Sequence, residues 1–211
     1  MENLVENISK SVAIELLFEE MPTRPTANAI FREARKIFGD INIINRDEND
    51  IEFSVDKFVA YNEDNTTSPV VLAMGNITDF DDKVAVSEFE RTQIWNVANS
   101  EELLSKYKYA VKIWDVNAQR QIPKERAIML VDWLNVALKL YPKCQAIWIK
   151  SAGKLQLAQS IKNLKETGIV KYLYSMVNIR FFNVPNTNEF IVDSVGLANI
   201  GLSDVQFHFK G

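Results

Sequence analysis

A single histidine, His208, stands among the 211 residues, inside the stretch VQFHF (205–209). Histidine titrates near neutral pH without help, so it can serve as a base, a proton shuttle or a ligand. Side chains alternate across a strand. His208 therefore shares a polar face with Gln206 and Lys210, opposite the face that Phe207 and Phe209 are expected to bury. Two more strand-like stretches, VNIRFF and EFIVDSV, could bring Asn178, Arg180 and Asp193 to that polar face. Such a patch would hold a base, an amide and an ion pair, a set suited to binding a polar ligand. Arg180 beside Asp193 reads first as a structural pair. Trp95, in the irregular stretch RTQIWNVAN, is the sixth candidate. An aromatic residue there is a binding hot spot, a pocket wall or a clamp on a connecting segment.

Covalent chemistry finds less support. A Ser-His-Asp or Cys-His arrangement would have to use His208, with Ser194, Ser203 or Cys144 as nucleophile. None of these lies in a G-x-S-x-G elbow. Cys144 heads CQAIWIK, which reads as a buried strand where cysteine acts as a small hydrophobe. One cysteine and one histidine cannot build an ordinary structural zinc site. DENDIEFSVDKF, from Asp47, fails as a calcium loop: Glu52 stands where glycine is needed and Phe58 where glutamate should close the site. DFDDKV, from Asp79, has Val84 in the glycine place. In SAGKL (151–155), Trp148 replaces the first glycine of a phosphate loop and Leu155 the hydroxyl residue that holds magnesium. At most, the amides near Gly153 and the charge of Lys154 could receive an anion at a helix start. With seven glycines in all, no dinucleotide fingerprint is present. No metal and no cofactor are expected.

The balance of 24 basic against 28 acidic residues lacks the positive excess of a nucleic-acid binder. The partner expected is another protein. The lone cysteine excludes an internal disulfide and suits a reducing cytoplasm. MENLVENISK has no apolar core of a secretory signal, and no run reaches the eighteen apolar residues of a membrane span.

The elements that must position these residues read as α+β. SVAIELLF is a buried strand. Thr26 can cap a helix over Thr26–Phe38, where Ala27, Ile30, Phe31, Ala34, Ile37 and Phe38 form one apolar stripe and Gly39 supplies the stop. Short strands follow at INII, IEFSV, KFVAY and PVVLAM, and then a weakly patterned connection from GNITDFDDK to about Asn99. Ser100 is expected to cap EELLSKY, ahead of a strand YAVKIWDV. KERAIMLVDWLNVALKLY (124–141) is the strongest helix, with Glu125, Asp132, Asn135 and Lys139 as its one narrow polar strip. Such a helix is covered on most sides, by sheet and a second helix or by sheet and a partner chain. LQLAQSIKNLK reads as a shorter helix, and strands return at the end. The expectation is two principal helices on antiparallel-rich sheet, with two similar-sized lobes, residues 1–95 and 96–211.

Three stretches, TQIWNVANSEELLSKYKYAVKIWD, ERAIMLVDWLNVALKLYPKCQAIWIKSAGKL and VNIRFFNVPNTNEFIVDSVGLANIGLSDVQFHFKG, together resemble a bacterial domain-of-unknown-function family, number 4261. The similarity spans roughly residues 65 to 211 and is most specific in SVGLANIGLSDVQFHF. It implies a bacterial source and a terminal strand that belongs to the folded unit. It supplies no activity, cofactor or substrate. Two expectations follow: a non-enzymatic binding module of accessory or immunity type that caps a toxin or effector, or a small hydrolase or transferase working around His208. The first is preferred, because an acidic chain without cofactor motifs suits a basic protein partner.

Overall fold

The computed structural model describes residues 11–47 and 49–211. Met1–Lys10, on which the absence of a secretory signal was read, lies outside the described residues, as does Glu48 of the failed calcium pattern. The chain is a mixed α+β protein. β1 (Ala13–Phe18) lies between β5 (Tyr109–Val116) and β6 (Ala146–Ile149) in the interior of a seven-stranded sheet. β2 (Ile41–Arg46), β3 (Ile51–Tyr61), β4 (Thr67–Asp79) and β7 (Lys154–Leu157) complete it in the order β2-β3-β4-β5-β1-β6-β7, every pairing antiparallel. One sheet spans the two expected lobes, 1–95 and 96–211. A strand from the first half is hydrogen-bonded on both sides by strands from the second.

Alternation along β1 explains why it is interior. Ile14, Leu16 and Phe18 enter the larger core, while Leu17 enters a second core on the opposite face. On the first face lie α1 (Ala27–Phe38) and α5 (Pro123–Leu140). Thr26 caps α1 as expected, its hydroxyl accepting the Ala29 amide at 3.2 Å. Gly39 follows the last turn at φ 77°, a backbone that glycine adopts without strain. Ile30, Ala34 and Phe38 form the buried stripe of α1. Trp133 of α5 is fully buried, edge-on to Phe53 at 5.3 Å, and donates its indole N–H to the Ala73 carbonyl at 3.2 Å. The cover of α5 is sheet plus α1 on one flank and α7 (Gly168–Met176) on the other.

One buried charge stands in α5 that the polar strip did not include. Arg126 donates from Nε to Asp115 Oδ2 of β5 at 2.9 Å, and Asp115 Oδ1 accepts the Val12 amide at 2.5 Å. Both side chains are almost wholly inaccessible, at 1% and 0%. Burial pushes the Asp115 carboxyl above the usual range, and the neighbouring guanidinium opposes that push. The pair ties the entry of β1 to β5 and to the start of α5.

Several local expectations are corrected. IEFSV and KFVAY form one strand, β3, with an irregular register between Val55 and Val59. β4 runs on through Gly75–Asp79, which sequence assigned to the connection. The rest of that connection forms α2 (Asp82–Ala85) and α3 (Glu88–Thr92), followed by α4 (Ser100–Lys106), the helix expected over EELLSKY. Together they close the second face of the sheet: Phe80, Val86, Ile94, Val97 and Leu104 pack with Leu17 and Trp148. Ser100 begins α4 rather than capping it; Asn99 holds the cap position at φ 54°. LQLAQSIKNLK starts as β7, and only α6 (Ala158–Asn163) is helical. No helix is long and apolar enough to cross a membrane among the described residues.

Candidate binding face of the terminal sheet

β8 (Asn178–Asn183), β9 (Glu189–Val195) and β10 (Gln206–Lys210) form a separate antiparallel sheet in the order β10-β9-β8. Its register decides which predicted residues meet. Arg180, Asp193 and Gln206 lie in one row across the three strands, and Phe182, Ile191 and His208 in the next. Arg180 donates from Nε to Asp193 Oδ1 at 2.8 Å and also pairs through its terminal nitrogen with Oδ2. The guanidinium lies 5.2 Å from the ring centre of Phe182, itself stacked on Phe89. Arg180 is thus held by a carboxylate and an aromatic pair at once. Asn178 is buried and donates to the Gly153 carbonyl at 2.9 Å. Asn178, Arg180 and Phe89 border a cleft of about 320 Å³ together with Lys150, Ser151 and Glu90, and Asp193, Gln206 and His208 are not part of its lining. His208 is half open, its Nε2 3.0 Å from Glu189 Oε2. The register puts Arg180, Asp193, Gln206 and His208 on one side of the sheet, together with Phe182 and Ile191.

The opposite face differs from expectation. Phe207 is 64% exposed and Val205 63%. The alternation placed Phe207 and Phe209 correctly on one side, but nothing among the described residues covers Phe207. Alternation sorts side chains between two faces; which face is covered depends on what packs there, and Phe89 of α3 packs on the opposite side, against Arg180 and Phe182. Rings run across this face in contact: Trp95 to Phe181 at 5.8 Å, Phe181 to Phe190 at 5.4 Å, Phe190 to Phe209 at 5.6 Å and Phe209 to Phe207 at 5.8 Å. Ile179 and Trp95, 57% and 60% exposed, extend the apolar surface at the β8 end. Trp95 therefore does not join the polar cluster. Its indole N–H donates to Gln93 Oε1, which also accepts the Phe181 amide at 3.2 Å on the outer edge of β8. The aromatic ladder was missed because its members Phe181 and Phe190 meet only through the strand register. Phe207→Ala should cost about 1 kcal/mol or less, instead of the 3–5 kcal/mol of a buried phenylalanine. A thermal melt of the variant checks this, and a loss on the buried scale would contradict the exposure.

Ser194 stands on the aromatic side of its strand, so it does not form a pair with His208. Its hydroxyl donates to Asp204 Oδ1 at 3.0 Å and accepts the Val205 amide at 2.9 Å. Cys144 is buried, and burial pushes its thiol up to about 12, far from a reactive thiolate.

Lys154 overturns the reading of an anion cradle at a helix start. β7, not a helix, begins there, and the ammonium turns inward to the Val177 carbonyl at 2.6 Å. Val177 ends α7, so the lysine caps that helix. Burial alone pushes its pKa down to about 8. Between about 8 and the unfolded value of about 10.4, the folded chain binds fewer protons than the unfolded one, so this group adds stability as pH rises. Lys154→Met should fold, gain on the order of 1 kcal/mol at neutral pH and lose that gain over wild type by about pH 10. Urea unfolding of both proteins from pH 7 to 10 checks the difference; a constant offset would refute the assignment.

No family model matches the chain, and neither a curated protein nor a solved structure matches it.

Proposed function

We propose that the chain is a non-enzymatic protein-binding module that receives its partner on the aromatic face of the three-stranded sheet. The observation carrying this is the unbroken, exposed run of Trp95, Ile179, Val205 and Phe207 beside half-buried Phe181, Phe190 and Phe209. A typical monomer's largest apolar patch is about 300–600 Å² and is often functional. The two most open aromatics alone each leave about 100–150 Å² uncovered, given their size. Ring geometry favours protein over sugar or nucleobase. Neighbouring rings stack on one another at interplanar angles of 26° to 28°. Their flat faces are largely taken, and the rims that remain suit aliphatic and aromatic side chains. Among the described residues, neither Ser194 nor Cys144 stands beside His208, which weighs against the hydrolase or transferase reading.

The finer reading is a bacterial accessory or immunity-type protein of the cytoplasm that caps a toxin or effector. It rests on the resemblance to family 4261 and on the net charge of −4, which steers a basic partner. The test is parallel affinity purification of wild type and a Trp95→Ser/Phe207→Ser double variant from cells that make the protein. A partner retained by wild type and lost by an equally stable double variant is expected. Equal retention by both proteins would overturn the proposal.

A further inference from the structure

We infer that the partner enters as an extended strand added to the free edge of β10, with apolar side chains over Phe207 and Phe209 and a carboxylate beside Lys210. This rests on the binding-face reading and specifies its occupant. Hydrogen bonding at the two ends of β10 sets the phase. The Val205 carbonyl accepts the Ser194 amide at 2.9 Å, and the Gly211 amide donates to the Asn188 carbonyl at 2.9 Å. In an antiparallel ladder, residues of that parity direct both backbone groups at the neighbouring strand, and those between direct theirs away. Gln206, His208 and Lys210 therefore present three N–H and three C=O groups on the side where, among the described residues, no strand pairs. An unpaired row of this kind is a template for strand addition.

The other strand edges are blunted. Gln93 bonds the edge of β8, Asn96 donates to the Leu155 carbonyl of β7 at 2.9 Å, and β2 has an irregular register between Ile43 and Asn45. β10 pairs in unbroken register and contains no proline. An added strand would also lay every second side chain along the aromatic ladder, next to Phe207.

Charge selects the occupant. On the polar face the edge presents Gln206, His208 and Lys210, with Lys210 highly exposed and only 3.7 Å contact to Glu189. A second copy would bring the same three side chains, its Glu189 carboxylate already engaged by its own His208 and Lys210. Its Asp204 is turned inward, accepting from Ser194 and from the Gly196 and Leu197 amides. A locally acidic, alternately apolar segment of a partner that is basic elsewhere complements this edge, and a copy of the chain does not.

The probes are two blocked heptapeptides, one alternating valine with glutamate and one alternating valine with lysine, titrated by NMR. The glutamate peptide should bind at least about tenfold more tightly, and it should slow amide exchange at Gln206, His208 and Lys210. His208→Pro removes one outward N–H without touching the β9 ladder. It should weaken binding about tenfold, while His208→Ala stays within about threefold. If His208→Pro does not fold, N-methylation of the peptide on its β10-facing amides should cause the same loss in wild type. Equal binding of the two peptides, no saturation by the glutamate peptide near about 1 mM, or a wild-type dimer in sedimentation would overturn the inference. Should Phe207→Ser weaken capture of the cellular partner while His208→Pro leaves it intact, strand addition falls and the binding face stands. Should the Trp95→Ser/Phe207→Ser variant keep that partner, the face itself falls.

Discussion

Asp115→Ala should destabilise the protein by about 3–5 kcal/mol, a large share of the stability of a typical domain. The substitution leaves the inaccessible Arg126 without its carboxylate and deprives the Val12 amide of its acceptor. Two penalties therefore combine, a buried charge without its counter-charge and a buried donor without a bond. Removing both charges is a different experiment. Asp115→Leu with Arg126→Met exchanges the pair for apolar volume and should recover most of the loss. Urea unfolding of the three proteins at neutral pH measures both effects through the midpoint at constant m-value. A loss below about 1 kcal/mol in Asp115→Ala would contradict the placement of the pair in the core.

Leu134→Asp should leave no folded protein at neutral pH. Leu134 is fully buried in the larger core, on a helix covered by sheet, α1 and α7. Losing its side chain costs about 2–5 kcal/mol through lost transfer and cavity terms. The carboxylate adds several kcal/mol if ionised, or is protonated at a cost that grows with pH. The sum approaches the whole stability. Far-ultraviolet circular dichroism at pH 7 and near pH 4 reads the result. Partial recovery on the acid side is expected, because the buried carboxyl has a raised folded-state pKa and its penalty falls once it is protonated. A soluble variant with an unchanged melting curve would refute the buried-helix description.

Both principal helices were legible because each carries its apolar pattern within one continuous segment. Thr26, Ile30, Ala34, Phe38 and Gly39 fix α1 locally, and the near absence of polar residues announces the buried α5. The strands of the terminal sheet were legible for the same reason, as was the division of Gln206, His208 and Lys210 from Phe207 and Phe209. What sequence did not reveal depends on contacts distant along the chain. Phe207 was assigned to a core because alternation resembles half-burial, yet cover is a property of neighbours. The ladder joins Phe207 to Phe190 and Phe181 through the strand register and to Trp95, which lies 112 positions back along the chain. Asp115 and Arg126 did leave a signal: Arg126 falls outside the polar strip of its helix, and Asp115 stands on a strand whose neighbours are mostly apolar. Such residues are rarely buried unpaired, and pairing them was the available inference.

Site-specific photo-cross-linking tests the binding face most directly. A photoreactive phenylalanine analogue replaces Phe207 in one protein and exposed Val84, on α2 and outside the terminal sheet, in another. Both are irradiated in cells that make the protein. A partner on the aromatic face predicts a discrete protein adduct from position 207, absent from position 84 and lost when Trp95→Ser is added. Adducts equal at both positions, or confined to the chain itself, would contradict it.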